Sequence, residues 1–135
     1  MMVMGSILGD GSDYRNPIAA YRAQTFLDNK NIAQFFSDPK AFIPLKTADG
    51  DSYDQQMSFY LPGDTTMLAL FNFHFKNNFK EVISRASLHL AAGKKYELRE
   101  FMTDSVVGEL KADAKEVTIE AIPGDAVLVK FVAVD

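Results

Sequence analysis

The sequence predicts a mainly β protein, an antiparallel β-sandwich of about eight strands preceded by an N-terminal helical segment. Two observations carry this reading. Apolar residues recur at helical spacing up to about Phe36, and then at a period of two from Lys40 onward. Clusters of Gly, Pro and Asp interrupt the second part at roughly ten-residue intervals, the rhythm of short strands joined by turns. The chain accordingly divides into 1–39, a loop and helix, and 40–135, the sandwich.

The elements follow in order. Met2-Val3-Met4 reads as a strand end running into the glycine-rich loop Gly5-Ser6-Ile7-Leu8-Gly9-Asp10-Gly11-Ser12. Asn16-Pro17 starts a helix, with Asn as N-cap and Pro at the first helical position. Ile18, Tyr21, Thr25, Ile32, Phe35 and Phe36 then share one broad face, flanked by Phe26 and Leu27. Asp28-Asn29-Lys30-Asn31 is a poor helical segment and divides the element in two, with Asn31 as the second N-cap. Ser37-Asp38-Pro39 ends the helical region.

Ala41 to Leu45 is a short apolar run whose Pro44 suits an edge strand. The polar loop Thr47–Gln56 precedes a strand from Met57 to Leu61. Thr66 to Phe75 is apolar on both faces and reads as a central strand. Its Phe71, Phe73 and Phe75 are expected in the core. Lys80 to Leu90, Lys95 to Met102, Ser105 to Leu110, Val117 to Ala121 and Ala126 to Val134 complete the set. Ala92-Gly93-Lys94 and Pro123-Gly124-Asp125 are turns.

Composition narrows function mainly by exclusion. A chain of 135 residues can bury about two thirds of its unfolded surface, so a core needs no staples. No cysteine is present, which rules out disulfides, thiol catalysis and cysteine-based zinc sites. The net charge of −4 disfavours nucleic-acid partners. No run approaches the ~20 apolar residues that span a bilayer, so no membrane role is read. The opening methionines lack a basic flank and do not form a signal peptide.

Chemistry-bearing patterns are sparse. His74 and His89 fall in expected strands with no partner at metal-ligand spacing, and read as sheet-surface residues. Asp49, Asp51 and Asp54 sit in a polar loop that turn chemistry explains. No P-loop and no nucleophile elbow occurs. No catalytic residue, metal site or cofactor is assigned. The candidate ligand-binding residues are Asp10, in the glycine-rich loop, and Tyr53 and Tyr60, as sugar-stacking rings. The absence of tryptophan argues against a strong sugar platform.

One longer pattern resembles a known family. Ser87-Leu88-His89-Leu90-Ala91-Ala92-Gly93-Lys94-Lys95-Tyr96-Glu97-Leu98-Arg99-Glu100-Phe101 resembles a strand–turn–strand of the C-terminal β-sandwich of melibiase-type α-galactosidases. Leu68-Ala69-Leu70-Phe71-Asn72 is similar to an earlier strand of that sandwich, and Val117 to Lys130 to its closing hairpin. Val3-Met4-Gly5-Ser6 and Phe26-Leu27-Asp28-Asn29-Lys30 resemble the last strand and helix of the preceding barrel. Two positions depart from the pattern: Phe101-Met102 replaces a tryptophan, and Gly124-Asp125 replaces a histidine-bearing turn.

The resemblance implies a non-catalytic C-terminal accessory domain of a glycoside hydrolase, packing on and stabilising the catalytic barrel. Catalytic aspartates in such enzymes lie on earlier barrel strands, so none is carried onto this chain. Asp10 would line the rim of the parent's site. The expected partners are that barrel, or a second copy through the apolar face of the N-terminal helix. The alternative is a free-standing carbohydrate-binding or adhesion module. A bacterial glycan-degrading parent would imply a periplasmic or extracellular location; the sequence itself fixes no compartment.

Overall fold

The computed structural model describes residues 15–37, 40–46 and 56–134. The chain divides into two compact units, Met1–Ala41 and Phe42–Asp135. The opening strand and glycine-rich loop, with Asp10, lie outside the described residues, as does most of the polar loop, with Tyr53. No described helix is long and apolar enough to cross a membrane.

The first unit contains α1 (Pro17–Leu27) and α2 (Lys30–Ser37). Asn16 caps α1 through its Oδ1, which accepts the N–H groups of Ile18 at 3.0 Å and Ala19 at 3.3 Å. The break between helices falls where the sequence places it, but its cap is Asn29 and not Asn31. Asn29 Oδ1 accepts from the N–H groups of Asn31 and Ile32. Asp28 closes α1, so the residue after it is the first one free to cap the next helix. The expected continuous apolar face is split by this break. Ile32 and Phe35 are buried, whereas Ile18 and Tyr21 are 63% and 71% exposed.

The second unit holds β1 (Ile43–Lys46), β2 (Gln56–Leu61), β3 (Thr66–Asn72), β4 (Phe79–Ser84), β5 (Lys95–Glu100), β6 (Val106–Leu110), β7 (Glu116–Ala121) and β8 (Asp125–Val134). Six of them form one antiparallel sheet in the order β1-β2-β3-β8-β5-β6; β4 and β7 form a second. Pro44 sits on edge strand β1, where its missing N–H costs no ladder bond. The pleat turns alternate residues inward. Leu68 and Leu70 of β3, Leu98 of β5, Val129 and Phe131 of β8, and Phe79, Ile83, Val117 and Ile119 of the small sheet make one core.

Two strands are shorter than their hydrophobic pattern, for the same physical reason. Side chains at their ends bond the backbone and start a turn. Asn72 Oδ1 accepts the N–H of His74, while its Nδ2 donates to the carbonyls of Asn77 at 2.9 Å and Ala121 at 3.0 Å. This buried amide ends β3 and ties it to β7 of the facing sheet. His74 Nδ1 then accepts the N–H groups of Lys76 and Asn77. The expected core position of Phe73 and Phe75 is therefore corrected: they lie beyond the strand, 56% and 88% exposed. Likewise Ser84 Oγ accepts the N–H of Ser87, so β4 stops there. Leu88-His89-Leu90 is turn, not strand; His89 has a left-handed φ of 54°, and Leu88 and Leu90 turn into the core.

Arg85, in that turn, is buried. Its Nε donates to the Ala114 carbonyl at 2.9 Å, and Nη1 to those of Ala91 at 2.7 Å and Lys94 at 2.9 Å. Nη2 donates to Lys111. The guanidinium also lies 5.7 Å from the centre of the Tyr96 ring, whose hydroxyl accepts the Ala91 N–H. Replacing Arg85 with Met strips four carbonyls of their donor, and is expected to cost about 3 kcal/mol in urea unfolding. Arg85→Lys should recover part of that loss, since an ammonium offers three donors without the planar fork. Equal stability of wild type and Arg85→Met contradicts the role given to this residue.

Candidate functional site

Of the three residues singled out from sequence, Tyr60 is the one within the described residues. It lies on the inward face of β2 and is buried. Its ring stacks on His89, with centroids 5.8 Å apart and planes 10° from parallel. Its hydroxyl lies 3.1 Å from His89 Nε2. One face of the Tyr60 ring is thus taken by an imidazole. His89 itself is exposed, held over Tyr60 by its left-handed backbone.

The tight turn between β5 and β6 gathers a polar cluster. Glu100 accepts the N–H of Met102 at 3.0 Å, the N–H of Thr103 at 2.7 Å and the Thr103 hydroxyl at 2.7 Å. Asp104, with a left-handed φ of 59°, forms an ion pair with Lys130 of β8. Lys130 also faces the Phe101 ring, 5.8 Å from its centre. Burial alone would raise the Glu100 carboxyl. The two N–H groups, the Thr103 hydroxyl and the Lys130 charge outweigh it and hold the carboxyl below its ordinary value. This carboxylate organises a turn, and its oxygens are taken up by that work. Among the described residues no three His, Cys, Asp or Glu side chains come together as a metal site.

A concavity of about 580 Å³ lies between β6 and β7. Residues 107–111 of and after β6 line one bank, and residues 116–120 of β7 the other. The buried Leu98 and Val129 and the half-buried Val127 lie beneath it. Consecutive residues line each bank, so the backbone edges themselves are presented, and not just one side-chain face. Among the described residues, β6 pairs with β5 alone and β7 with β4 alone. Gly108 faces Leu98 across the ladder and leaves room there. A Cβ at Gly108 would meet Leu98 at 3.8 Å, an ordinary contact. The alternation of Val117 and Ile119 with Thr118 and Glu120 is visible in sequence. The facing of two unpaired edges is not, because it follows from the order of strands in both sheets.

No protein-family model matches the chain, and no curated protein does. Solved structures do. The isomalto-dextranase of Arthrobacter globiformis T6, complexed with panose, superposes on 98% of this chain and 22% of its own, with a TM-score of 0.62 at 21% identity. A GH27 β-L-arabinopyranosidase from Geobacillus stearothermophilus covers 80% of this chain and 23% of its own, with a TM-score of 0.60 at 14% identity. α-Galactosidase I from Mortierella vinacea covers 80% and 28%, with a TM-score of 0.58 at 14% identity.

The chain shares its fold with these glycosidases. It is mainly β, with two N-terminal helices, and resembles the α-galactosidase-like sandwich read from its sequence. It spans about a quarter of the length of each of these enzymes.

The lowered Glu100 carboxyl has a consequence for acid stability. Its contribution is complete above the pKa it has in the unfolded chain, and is lost as pH falls through the lower folded-state value. Thermal unfolding of Glu100→Gln should therefore show a shallower fall in Tm on acidification than wild type. Superimposable acid limbs contradict this.

Proposed function

We propose that this chain is a non-catalytic accessory domain of a glycoside hydrolase of the α-galactosidase-like kind, C-terminal to the catalytic barrel and stabilising it. The observation that carries this is the fold match: most of this chain corresponds to about a quarter of several glycosidases. The reading is also supported by the use its polar side chains are put to. Glu100, Asp104, Asn72 and His74 hold turns, leaving no convergent acid–base pair among the described residues. The purified chain should not hydrolyse p-nitrophenyl α-galactoside above the buffer rate. Robust turnover overturns the proposal.

The exposed Ile18 and Tyr21 of α1 are the apolar surface we assign to the partner barrel. Without the barrel, the same surface favours a second copy. Light scattering coupled to size exclusion should show mass rising with concentration, and Tyr21→Glu should suppress that rise. A monomer at every concentration argues against this surface.

A second reading, a free-standing carbohydrate-binding module, has one observation in its favour. The Phe71 and Phe73 rings lie 6.0 Å apart and 7° from parallel, with Phe73 well exposed. Binding on a glycan array that is lost in Phe73→Ala would move this reading ahead of the first. An array without hits removes it.

A further inference from the structure

We propose that His74 is a pH-sensitive latch on the β3–β4 loop, residues 73–78. Its neutral imidazole closes the turn that holds Phe75 out in solvent, and protonation of the ring opens that turn.

The argument begins with an inversion in this loop: amide and imidazole side chains are bonded to the protein, while phenylalanines face water. Asn72 bonds the N–H of His74 and the carbonyl of Asn77. Asn78 Nδ2 donates to Glu120, and Gln56 Nε2 donates to the Asn78 carbonyl. Phe75 is 88% exposed, and Phe73 is exposed beyond its stack on Phe71. Apolar burial does not hold Phe75 in place, so the shape of the loop at that point rests on its hydrogen bonds.

The two bonds that close the turn around Phe75 end on one atom. His74 Nδ1 accepts the N–H of Lys76 at 3.1 Å and that of Asn77 at 3.0 Å. An accepting nitrogen carries no proton, so the neutral ring has its hydrogen on Nε2. The Asn77 side-chain amide lies 3.4 Å from Nε2 and can turn its oxygen toward it, whereas the two backbone N–H groups cannot turn away. Protonation sets a third N–H against the two already there. The acceptor becomes a donor, and both bonds are lost together. Imidazole makes this change between about pH 5 and 8.

The charged groups around the loop leave this sign unchanged. On the loop itself the charged residue is Lys76, a cation like the protonated ring. On β4, Lys80 faces Glu120 of β7 across the ladder, and that carboxylate also accepts from Asn78. On β8, Asp125 lies opposite Asn72, and its carboxylate accepts the N–H of Ala126. On β2, Gln56 reaches the loop and is neutral. Among the described residues no carboxylate forms an ion pair with His74, so none offers the charged ring a bond in place of the two it loses.

The test is nuclear magnetic resonance on the whole chain, from about pH 8 to about pH 5. At the upper end the His74 ring should show the tautomer with its hydrogen on Nε2. On acidification the hydrogen-exchange protection of the Lys76 and Asn77 amides, corrected for the intrinsic rate, should fall at least about fivefold, the equivalent of one ordinary hydrogen bond. His74→Asn puts a side-chain oxygen where Nδ1 stands and does not titrate, so both amides should stay protected throughout. His74→Leu should leave them unprotected at both ends of the range. The other histidine of the chain is His89, and His89→Gln should leave the transition in place.

A neutral ring with its hydrogen on Nδ1 overturns the proposal on the unmodified protein, whatever the variants do. So does equal protection of Lys76 and Asn77 across the range, because the turn would then hold without a titrating latch. A fall that persists in His74→Asn, or disappears in His89→Gln, also overturns it, since another group would be opening the turn. Protection retained in His74→Leu does the same. None of these outcomes bears on whether the chain hydrolyses a galactoside, so the accessory-domain reading stands or falls separately.

Discussion

Three connections meet at the buried guanidinium of Arg85: the turn after β4, the chain leading into β5, and the β6–β7 connection. None of these segments has a sheet ladder to satisfy its carbonyls. A planar group with five donors can serve several at once, which a smaller cation cannot do with the same geometry. The positive charge is balanced by carbonyl dipoles and by the face of Tyr96 rather than by a carboxylate. Leu88 and Leu90 are carried into the core by the turn this residue anchors. The end of the sandwich, and with it the position of β7 after the Lys111–Ala114 connection, depends on that one side chain.

A second polar anchor works on the sheets themselves. The Asn72 amide bonds both the loop that follows β3 and the Ala121 carbonyl of β7. A buried amide with each bond made is directional where apolar packing is not, so it fixes how the small sheet lies over the large one. Arg85 and Asn72 thus constrain the β4–β7 pair through different ends of its neighbouring loops, while its outer edge is left to face the concavity beside β6.

The period-two alternation made the eight strands legible, and Pro44 marked the edge of the large sheet correctly. Asn16-Pro17 likewise announced α1. The errors share a cause. Phe73, Phe75, Leu88 and Leu90 continue a hydrophobic pattern past the point where the backbone turns. Asn72 and Ser84 stop it through local side-chain bonds that a pattern of apolar residues does not register. Arg85 was equally hidden, since a lone basic residue in a turn has the sequence signature of a solvated one. At the candidate sites, Tyr60 could be named but not its stacking partner. His89 lies far off in sequence and is brought over the ring by a left-handed backbone angle. The concavity was illegible because it belongs to strand order, which is set by contacts between distant segments.

The place of β8 also bears on how the protein is made. This strand lies in the middle of the large sheet, bonded on one side to β3 and on the other to β5. Yet it leaves the ribosome after all the others described. Until residues 125–134 emerge, β1-β2-β3 and β5-β6 are two separate sheet fragments, each with a hydrophobic inner face and an unsatisfied edge. Synthesis therefore passes through a stage in which most of the chain exists but its principal sheet cannot. At rates of about 5–20 residues per second, the gap between the completion of β3 and that of β8 is a matter of seconds. In that interval the edges of β3 and β5 that β8 will later join are both unpaired, each a template for a strand.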